Sequence, residues 1–245
     1  VEQYKLSMIE ASYTPNSIND KIASIKAFVN FAHDYEKCNF IIDKVKALSP
    51  EVYRDTKGTD SQNIAQILSL PDRLSVKGIR DYAILRLLWD CALRRSEINK
   101  LNVEDFNYSD LTLTISGKGR ITKEKVYLAP KTAEAIKSWL EVYTLPQSHS
   151  PLFISLDNAT NGHRLSTKTI YNLAKKYSSQ VENGKILSPH QFRHSSITAV
   201  LDATNGNVRI AQKLSRHKNL DVLTRYDDNR VALQKEAVNL LADMA

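Results

Sequence analysis

Residues 188–194, Ser-Pro-His-Gln-Phe-Arg-His, are the stretch on which the interpretation of this chain depends. Proline is favoured at the first position of a helix, so we expect a helix to begin here. His190 and Arg193 are three residues apart and therefore share one face of its first turn. A lone histidine is more often structural, but a helix N-terminus favours anions. The pair therefore predicts a phosphate-binding face.

A second cluster lies upstream, at the end of an apolar segment. Residues 78–92 are apolar nearly all round, as a central buried helix would be, and residues 92–98, Ala-Leu-Arg-Arg-Ser-Glu-Ile, follow. Arg94 would be held rigidly there against a phosphate, for which a bidentate guanidinium is the preferred donor. Glu97 would orient Arg94 or cap the next helix. Taken alone, this cluster also fits a surface turn between helices.

Two weaker signals follow. Lys118 lies between two glycines at the tip of a predicted hairpin, where the backbone can approach a ligand and a lysine can reach a DNA oxygen. The same Gly-Lys-Gly tripeptide also suits an ordinary solvated turn. His217 is followed nine residues later by Tyr226, and because the chain has 11 tyrosines, Tyr226 is singled out only by its order and company.

The order of these clusters resembles the signature of the tyrosine recombinases, the phage integrase family. The resemblance covers about residues 60–245, with a looser match over 13–50, and Ala-Leu-Arg-x-Ser-Glu and His-x-x-Arg-His are similar to its two arginine boxes. It implies an enzyme of site-specific DNA recombination that breaks and rejoins strands in integration, excision or resolution. The residues that it marks as catalytic are Arg94, Lys118, His190, Arg193, His217 and Tyr226, with Glu97 in support.

The resemblance also implies the role of each residue. Tyr226 would attack the scissile phosphate and form a 3′-phosphotyrosine, which conserves bond energy, so no nucleotide cofactor is expected. Arg94 and Arg193 would stabilise charge on the non-bridging oxygens in place of a metal ion. Lys118 would protonate the leaving 5′ oxygen. The family often has glycine where this chain has Arg216, and this departure bears on how the next residue approaches the phosphate.

The two histidines would complete the site. His190 would assist proton transfer from Tyr226, because a phenol with an unperturbed pKa near ~10 is a poor nucleophile at neutral pH. His217 would donate a hydrogen bond to the phosphate. With these roles filled by side chains, no metal is expected.

The expected fold class is mainly α with a small antiparallel β-sheet (α+β). We expect a partial helical core-binding domain over residues 1–52, a linker over 53–62, and a tyrosine-recombinase catalytic domain over 63–245 with a C-terminal helix. We also expect the chain to begin inside the core-binding domain. A capping box is predicted at Ser17–Asp20. Thr59 or Ser61 is predicted to be the N-cap of the helix that follows. Helices are predicted from Thr14 and at about 40–48, 78–92, 131–143, 166–179, 191–203, 207–214 and 231–243, and strands at 111–115 and 125–129.

Composition sets the remaining limits. The net charge of +7 and the pI near 9.2 are suggestive of a polyanionic partner. No apolar run approaches the ~20 residues that a membrane span needs, so no membrane partner is expected. Cys38 and Cys91 lack the spacing of a zinc site or a disulfide framework, which favours a reducing cytoplasm. The family resemblance implies a prokaryotic, phage or mobile-element origin.

The expected partner is double-stranded DNA at recombination sites. The resemblance implies a homo-oligomer on DNA, a dimer on one site and a tetramer in the synapse, with accessory DNA-bending proteins possible. Two alternatives stay open: a type IB topoisomerase with similar chemistry, and a non-catalytic sequence-specific DNA-binding protein. The candidate phosphate contacts, each of which also fits a simple solvated charge, are Lys21, Lys26, Arg54, Lys57, Arg120 and Lys123.

Overall fold

The structure of the protein, a computed structural model, describes residues 1–49, 58–116, 123–143, 147–182, 184–217 and 242. The chain divides into two compact units, Val1–Asp55 and Thr56–Ala245. The predicted fold class is confirmed, since the described residues form mainly helices together with a three-stranded antiparallel sheet of order β1-β2-β3. The elements are α1 Glu2–Glu10, α2 Pro15–Asp34, α3 Ser61–Ser69, α4 Val76–Asp90, α5 Arg95–Lys100, β1 Phe106–Asn107, β2 Thr112–Ser116, β3 Lys123–Tyr127, α6 Pro130–Val142, α7 Thr167–Ser178, α8 Pro189–Ala203 and α9 Val208–Ser215.

Helix α2 of the first unit begins where the sequence predicts. Thr14 is the N-cap, Pro15 is the first helical residue, and the Thr14 hydroxyl accepts the backbone N–H of Ser17 at 3.3 Å. The capping box predicted at Ser17–Asp20 is therefore wrong, because Ser17 already lies inside the helix and Thr14 holds the cap. The apolar face of α2 packs on α1, and the buried residues of this contact are Ile18, Ile22 and Met8.

Helix α1 was not predicted from the sequence. Of its nine residues only Met8 is buried, so the helix shows little of the amphipathic pattern by which a helix is recognised.

The short helix predicted at about 40–48 is also wrong. The chain there is not helical, and Val45 is its buried anchor. The side-chain amide of Asn19 donates to the carbonyl of Leu48 at 2.8 Å and its oxygen accepts the Leu48 N–H at 2.8 Å. The Lys5 ammonium donates to the Lys46 carbonyl at 2.9 Å. Side chains from α1 and α2 thus satisfy backbone groups that a helix would pair internally.

The second unit is organised around α4, which is the central buried helix that its all-round apolar sequence predicts. That core also takes in Trp139 of α6 and Phe192 of α8. Helix α4 therefore fixes the position of the chain that follows it, residues 91–97. The fully buried residues of α4 in this core are Ala83, Ile84, Leu85, Leu87 and Leu88.

The start of α3 differs from the prediction by one residue. Asp60, rather than Thr59 or Ser61, is the N-cap, and its carboxylate accepts the Asn63 N–H at 2.8 Å. Thr59 is engaged elsewhere, because its backbone N–H donates to the Ser195 hydroxyl at 2.8 Å. This contact ties the entry of α3 to α8, which a local capping rule does not anticipate.

The hairpin is confirmed with a shift of two residues in its second strand. Strand β3 covers Lys123–Tyr127 instead of 125–129, and Thr112 pairs with Tyr127 at one end of the ladder. Leu111 has a left-handed backbone, with φ of 50°, so the regular ladder stops at that pair. The additional strand β1 pairs Phe106 with Leu113, and at two residues it is too short to show alternation.

The later helices agree with their predicted ranges within two residues. Helix α8 begins at Pro189, as expected of a proline at the first helical position, instead of at 191. The predicted helix at 231–243 lies outside the described residues, apart from residue 242. Cys38 and Cys91 are both free thiols. None of the helices in the described ranges is long and apolar enough to span a membrane.

A buried ion pair joins α4 to α7 and to the loop before it. The Arg80 guanidinium donates to Asp81 Oδ1 at 2.7 Å and 3.0 Å and to the Ile154 carbonyl at 2.9 Å. The Tyr177 hydroxyl donates to Asp81 Oδ2 at 3.0 Å. Burial and the neighbouring Asp81 carboxylate both raise the pKa of Tyr177. Since Arg80 and Asp81 are 3% and 2% exposed, neither can exchange its partner for water.

We expect Asp81→Asn to lower the free energy of unfolding by about 3 kcal/mol, because it leaves the Arg80 charge buried without a counter-charge. Tyr177→Phe, the matched control, removes one hydrogen bond and should cost about 1 kcal/mol. Urea unfolding followed by the fluorescence of Trp89 and Trp139, the two tryptophans of the chain, measures both in the second unit. Equal losses for the two variants would show that the Asp81 charge is dispensable.

Candidate active site

Four of the predicted catalytic residues meet at one cleft in the second unit. The cleft has a volume of about 520 Å³ and lies between the chain after α4, helix α7 and the N-terminus of α8. Three of the four line it, and His217 adjoins it through a contact with Arg193. The lining residues are Arg94, Arg95, Ser96, Tyr171, Ser188, Pro189, His190 and Arg193.

Arg193 is buried and held by the backbone of two turns. Its Nη1 donates to the carbonyl of Ala92, after α4, and its Nη2 donates to the carbonyl of Ser215, at the end of α9. The C-terminal ends of helices carry partial negative charge, which favours a cation there. Only 2% of Arg193 is exposed, so its position is set by the core and not by solvent.

Arg94 is oriented by Glu97, and both roles predicted for Glu97 are present. The Glu97 carboxylate caps α5 by accepting the Arg94 backbone N–H at 2.8 Å, and its other oxygen accepts from Arg94 Nη1 at 2.8 Å. Burial acts to raise the pKa of Glu97, but the guanidinium of Arg216 and the hydrogen bonds from Arg94 outweigh it and hold the pKa below its usual value. Glu97 is therefore an anion that fixes Arg94, while the Arg94 side chain remains 36% exposed at the cleft.

His190 is placed by the N-terminal cap of α8. Ser188 is the N-cap, its hydroxyl accepts the Gln191 N–H at 3.4 Å, and the Gln191 side chain accepts the Ser188 N–H at 2.9 Å. Pro189 occupies the first helical position, so His190 projects from the first turn and is exposed in the cleft. As the three-residue spacing predicts, His190 and Arg193 line the same cleft.

His217 lies beside Arg193, with 3.3 Å between Arg193 Nη2 and His217 Nε2. Burial, together with the positive charges of Arg193, Arg94 and Arg216, lowers the pKa of His217 to about 4. The imidazole is thus neutral at pH 7. Because a guanidinium only donates, Nε2 must accept and the proton must sit on Nδ1. That Nδ1 is buried and has no hydrogen-bond partner among the described residues.

Several predicted site residues lie outside the described residues. They are the predicted catalytic residues Lys118 and Tyr226 and the predicted DNA contacts Arg54, Lys57 and Arg120.

The other three predicted DNA contacts are described and are not among the residues that line the cleft. Lys21 and Lys26 are on α2 of the first unit, where the Lys21 ammonium is 5.8 Å from the centroid of the Tyr13 ring. Lys123, at the start of β3, forms an ion pair of 2.8 Å with Asp105, and this hydrogen bond raises the pKa of Lys123.

Two cations near the same cleft are marked by no sequence motif. The Arg95 guanidinium is 5.7 Å and the Lys175 ammonium 5.5 Å from the centroid of the Tyr171 ring, which lines the cleft. Neither cation has a carboxylate partner within the part of the chain that the structure describes. The sequence favours Arg94 over Arg95 as the catalytic arginine, because Arg94 precedes Glu97 by three residues. Tyr171 and Lys175 lie in a helix that carries no recognisable motif.

Arg216 was noted in the sequence only as a departure from a family glycine. It is the C-cap of α9, with a left-handed backbone of φ 57°, and its side chain turns inward to Glu97. The positive φ is what makes glycine typical at such a position. The guanidinium groups of Arg94 and Arg216 both contact the buried Glu97 carboxylate, and Arg193 donates to the carbonyl of Ala92, which also lies 3.4 Å from Arg216 Nη2. This excess of positive charge, at a cleft that also carries His190, suits an anion such as a phosphodiester.

Comparisons with known proteins agree with this geometry. The family model described as phage integrase family matches residues 57–232. The chain belongs to the phage integrase family. It is 43% identical over 244 residues to a tyrosine recombinase of Synechocystis sp. (strain ATCC 27184 / PCC 6803 / Kazusa), covering 100% of this chain and 78% of that protein. It is 42% identical over 245 residues to a tyrosine recombinase of Synechococcus elongatus, covering 100% and 77%.

Solved structures agree on the fold. The structure of the Tn1549 transposon integrase in complex with transposon right end DNA matches with a TM-score of 0.68 at 19% identity, over 96% of this chain and 84% of that one. From its family and its relatives, the chain is an enzyme of site-specific DNA recombination that breaks and rejoins DNA. Neither of the two open alternatives, a topoisomerase or a non-catalytic DNA-binding protein, gains support.

We expect the recombinase to lose stability between pH 7 and pH 5 through His217. The folded pKa of about 4 lies below the ordinary value of 6.5, so the unfolded chain binds a proton in this range and the folded chain does not. Stability contributed by the neutral imidazole is therefore present at pH 7 and is lost as the pH falls. Glu97 adds little in this range, because its usual pKa of 4.5 already lies under pH 5 and its pKa in the folded protein is lower.

The measurement is urea unfolding at pH 7 and pH 5, compared with His217→Gln, which keeps a neutral hydrogen-bonding side chain. After discounting for solvent screening, the wild type should lose about 1 kcal/mol more than the variant. Parallel losses in the two proteins would mean that His217 titrates normally in the folded state.

Proposed function

We propose that the recombinase cleaves DNA with Tyr226 as the nucleophile. The bond from the phenol oxygen to phosphorus forms as the bond from phosphorus to the 5′ oxygen breaks, leaving a 3′-phosphotyrosine and a free 5′-hydroxyl. The observation that supports this is the rigid pair Arg94 and Arg193 at one cleft. Phosphoryl transfer depends chiefly on positioning and charge stabilisation, which two fixed guanidinium groups can supply.

Arg94 and Arg193 are proposed to neutralise charge on the non-bridging oxygens. Their different surroundings suggest different parts in this task. Arg193 is locked by two carbonyls and gives a fixed reference for the phosphate, whereas Arg94 is held by Glu97 and keeps a partly exposed side chain at the cleft. Binding of the phosphate would then bring negative charge to a site with an excess of cations.

The two histidines are proposed to have separate roles. His190 is exposed on the first turn of α8, where it can accept the phenol proton of Tyr226. His217 lies beside Arg193 and is proposed to donate a hydrogen bond to a phosphate oxygen. Lys118 is proposed to give a proton to the leaving 5′ oxygen, and its replacement by alanine should suppress cleavage in the assay below.

The nucleophile is tested by a denaturing-gel adduct assay. The recombinase and its Tyr226→Phe variant are incubated with labelled, nicked DNA from the boundaries of the native element. Wild type should give a band that resists SDS and is shifted by the mass of the protein, and the variant should give none, because phenylalanine lacks the attacking oxygen. EDTA should leave the yield unchanged, since the charge stabilisation is assigned to arginines.

The matched control changes a tyrosine that takes no part in the proposal. Tyr127 is exposed on β3, so Tyr127→Phe removes the same hydroxyl group and should form as much adduct as wild type. An adduct of equal yield from Tyr226→Phe would disprove the assignment of the nucleophile. Strong inhibition by EDTA would instead point to a metal-dependent nuclease.

We further propose that Arg95 and Lys175 bind a DNA phosphate next to the scissile one. Both lie near the Tyr171 ring at the cleft and neither has a carboxylate partner among the described residues, so a DNA phosphate would supply a counter-charge. The six candidate contacts from the sequence remain proposals, and Lys123 is the weakest of them, because Asp105 already neutralises it. These six are Lys21, Lys26, Arg54, Lys57, Arg120 and Lys123.

We expect Arg95→Ala and Lys175→Ala each to reduce the slope of log K against log salt concentration by about 0.9, because each contact to duplex DNA displaces condensed counterions. Fluorescence anisotropy with labelled site DNA over a salt series measures the slope. Lys137→Ala is the matched control, since Lys137 lies on α6 beside Glu134 and Glu141. A slope that stays at the wild-type value in both the Arg95 and the Lys175 variant would exclude them as phosphate contacts.

The domain arrangement and assembly state are proposals that rest on the family. We propose a helical core-binding domain at 1–52, a linker at 53–62 and a catalytic domain at 63–245, and limited proteolysis that never cuts in 53–62 would contradict this division. We propose that two protomers bind one DNA site and that four form the synapse, which sedimentation of the protein with DNA carrying one or two sites would test. We also propose that DNA-bending proteins contribute, which the same measurement with and without cell extract would test. We propose a cytoplasmic location, to be checked by cell fractionation.

A further inference from the structure

We propose that Arg216 is a positioning residue that fixes Arg94 through Glu97. This inference rests on the proposed function, because it concerns the arrangement of one of the two phosphate arginines. Arg216 is not among the residues that line the cleft. It also departs from the sequence pattern of the family, which often has glycine at this position. Its side chain is only 7% exposed, so an arginine has been turned into the protein interior beside the site.

The guanidinium of Arg216 is anchored by the backbone at the ends of two helices. Its Nη1 donates to the carbonyls of Cys91 at 3.0 Å and Leu214 at 2.9 Å, and its Nη2 lies 3.4 Å from the carbonyl of Ala92. Cys91 and Ala92 follow α4, and Leu214 belongs to the last turn of α9. Arg216 is thus held by three carbonyls before it makes any contact with an acid.

From this anchor, Arg216 Nη2 donates to Glu97 Oε2 at 3.1 Å. The same oxygen accepts the Arg94 backbone N–H, and the other oxygen of Glu97 accepts from Arg94 Nη1. A carboxylate rotates easily about its last bond, and without Arg216 its only partners would be the Arg94 backbone N–H and the Arg94 side chain that it has to hold. With Arg216 on one oxygen and Arg94 on both, the plane of the carboxylate is fixed, and this fixes the direction of the Arg94 guanidinium.

The backbone conformation of Arg216 carries a cost that its contacts have to offset. Its φ of 57° is left-handed, a conformation that glycine adopts freely and that a residue with a Cβ adopts against steric resistance. Glycine would relieve this strain. The side chain therefore has to make interactions that offset it, and its contacts lead to Glu97 and from there to Arg94.

The competing explanation is that Arg216 only stabilises the packing of α9 against α4. Two measurements separate it from positioning. The variant is Arg216→Gly, which removes the guanidinium and at the same time relaxes the backbone, so that loss of folding is least expected. Arg209→Ala is the matched control, because it removes one exposed positive charge from the same helix.

The first measurement is the NMR order parameter of the Arg94 side-chain Nε–H, recorded without DNA and assigned with an Arg94→Lys variant. We expect a rigid signal in wild type and in Arg209→Ala, and a mobile one in Arg216→Gly. An Arg94 side chain that stays rigid in Arg216→Gly would overturn the proposal. This readout does not require strand cleavage. It therefore stays valid even if the proposed function fails, which would show as an absence of adduct from wild type.

The second measurement is the single-turnover rate of adduct formation. Misplacing a catalytic group slightly can cost on the order of 10- to 100-fold in rate, and we expect a loss in this range for Arg216→Gly and none for Arg209→Ala. In an Arg94→Ala background, Arg216→Gly should cost less than about 3-fold more, because the residue that it positions is gone. If the rate of the double variant falls by the product of the two single fold-losses, Arg216 acts independently of Arg94, and the proposal is wrong.

Discussion

The site depends on the buried guanidinium of Arg193, which joins three separate parts of the chain. It projects from α8 and donates to the carbonyls of Ala92 and Ser215, at the C-terminal turns of α4 and α9. Both turns contain a left-handed residue, Ala92 with φ of 46° and Arg216 with φ of 57°. Because those turns end helices that are packed in the core, folding of the core sets the place of the phosphate site.

In the free protein the site has more positive than negative charges, and an anionic ligand would reduce that excess. Arg94 and Arg216 form ion pairs with the one carboxylate of Glu97, and Arg193 adds a third positive charge whose acceptors are backbone carbonyls. The response of the titratable groups follows from this excess and from burial, since the pKa of Glu97 is held low and that of His217 falls to about 4. A neutral imidazole avoids a further positive charge beside Arg193. A phosphate would reduce the excess, which gives a physical reason for its binding at this place.

The sequence predicted those features that depend on neighbours along the chain. The apolar pattern of α4 and the proline start of α8 follow from local rules, and the structure confirms both elements. The prediction at 40–48 was wrong because Asn19, far away in sequence, holds the backbone of Leu48. In the site, Arg94 and Arg193 could be recognised by type and order, whereas the place of Arg216 depends on contacts to residues more than a hundred positions away. Sequence rules therefore find the groups that act on the phosphate more readily than those that hold them.

Rigid support matters here because an arginine has a long side chain with many rotamers. A free arginine would have to lose that freedom when the transition state forms, and the loss would add to the barrier. In this protein the ordering occurs on folding, through carbonyls and a carboxylate that are themselves buried. Dipoles and charges that are already oriented need not reorganise as negative charge develops. The stability of the turns after α4 and α9 is in this sense part of the catalytic apparatus of the recombinase.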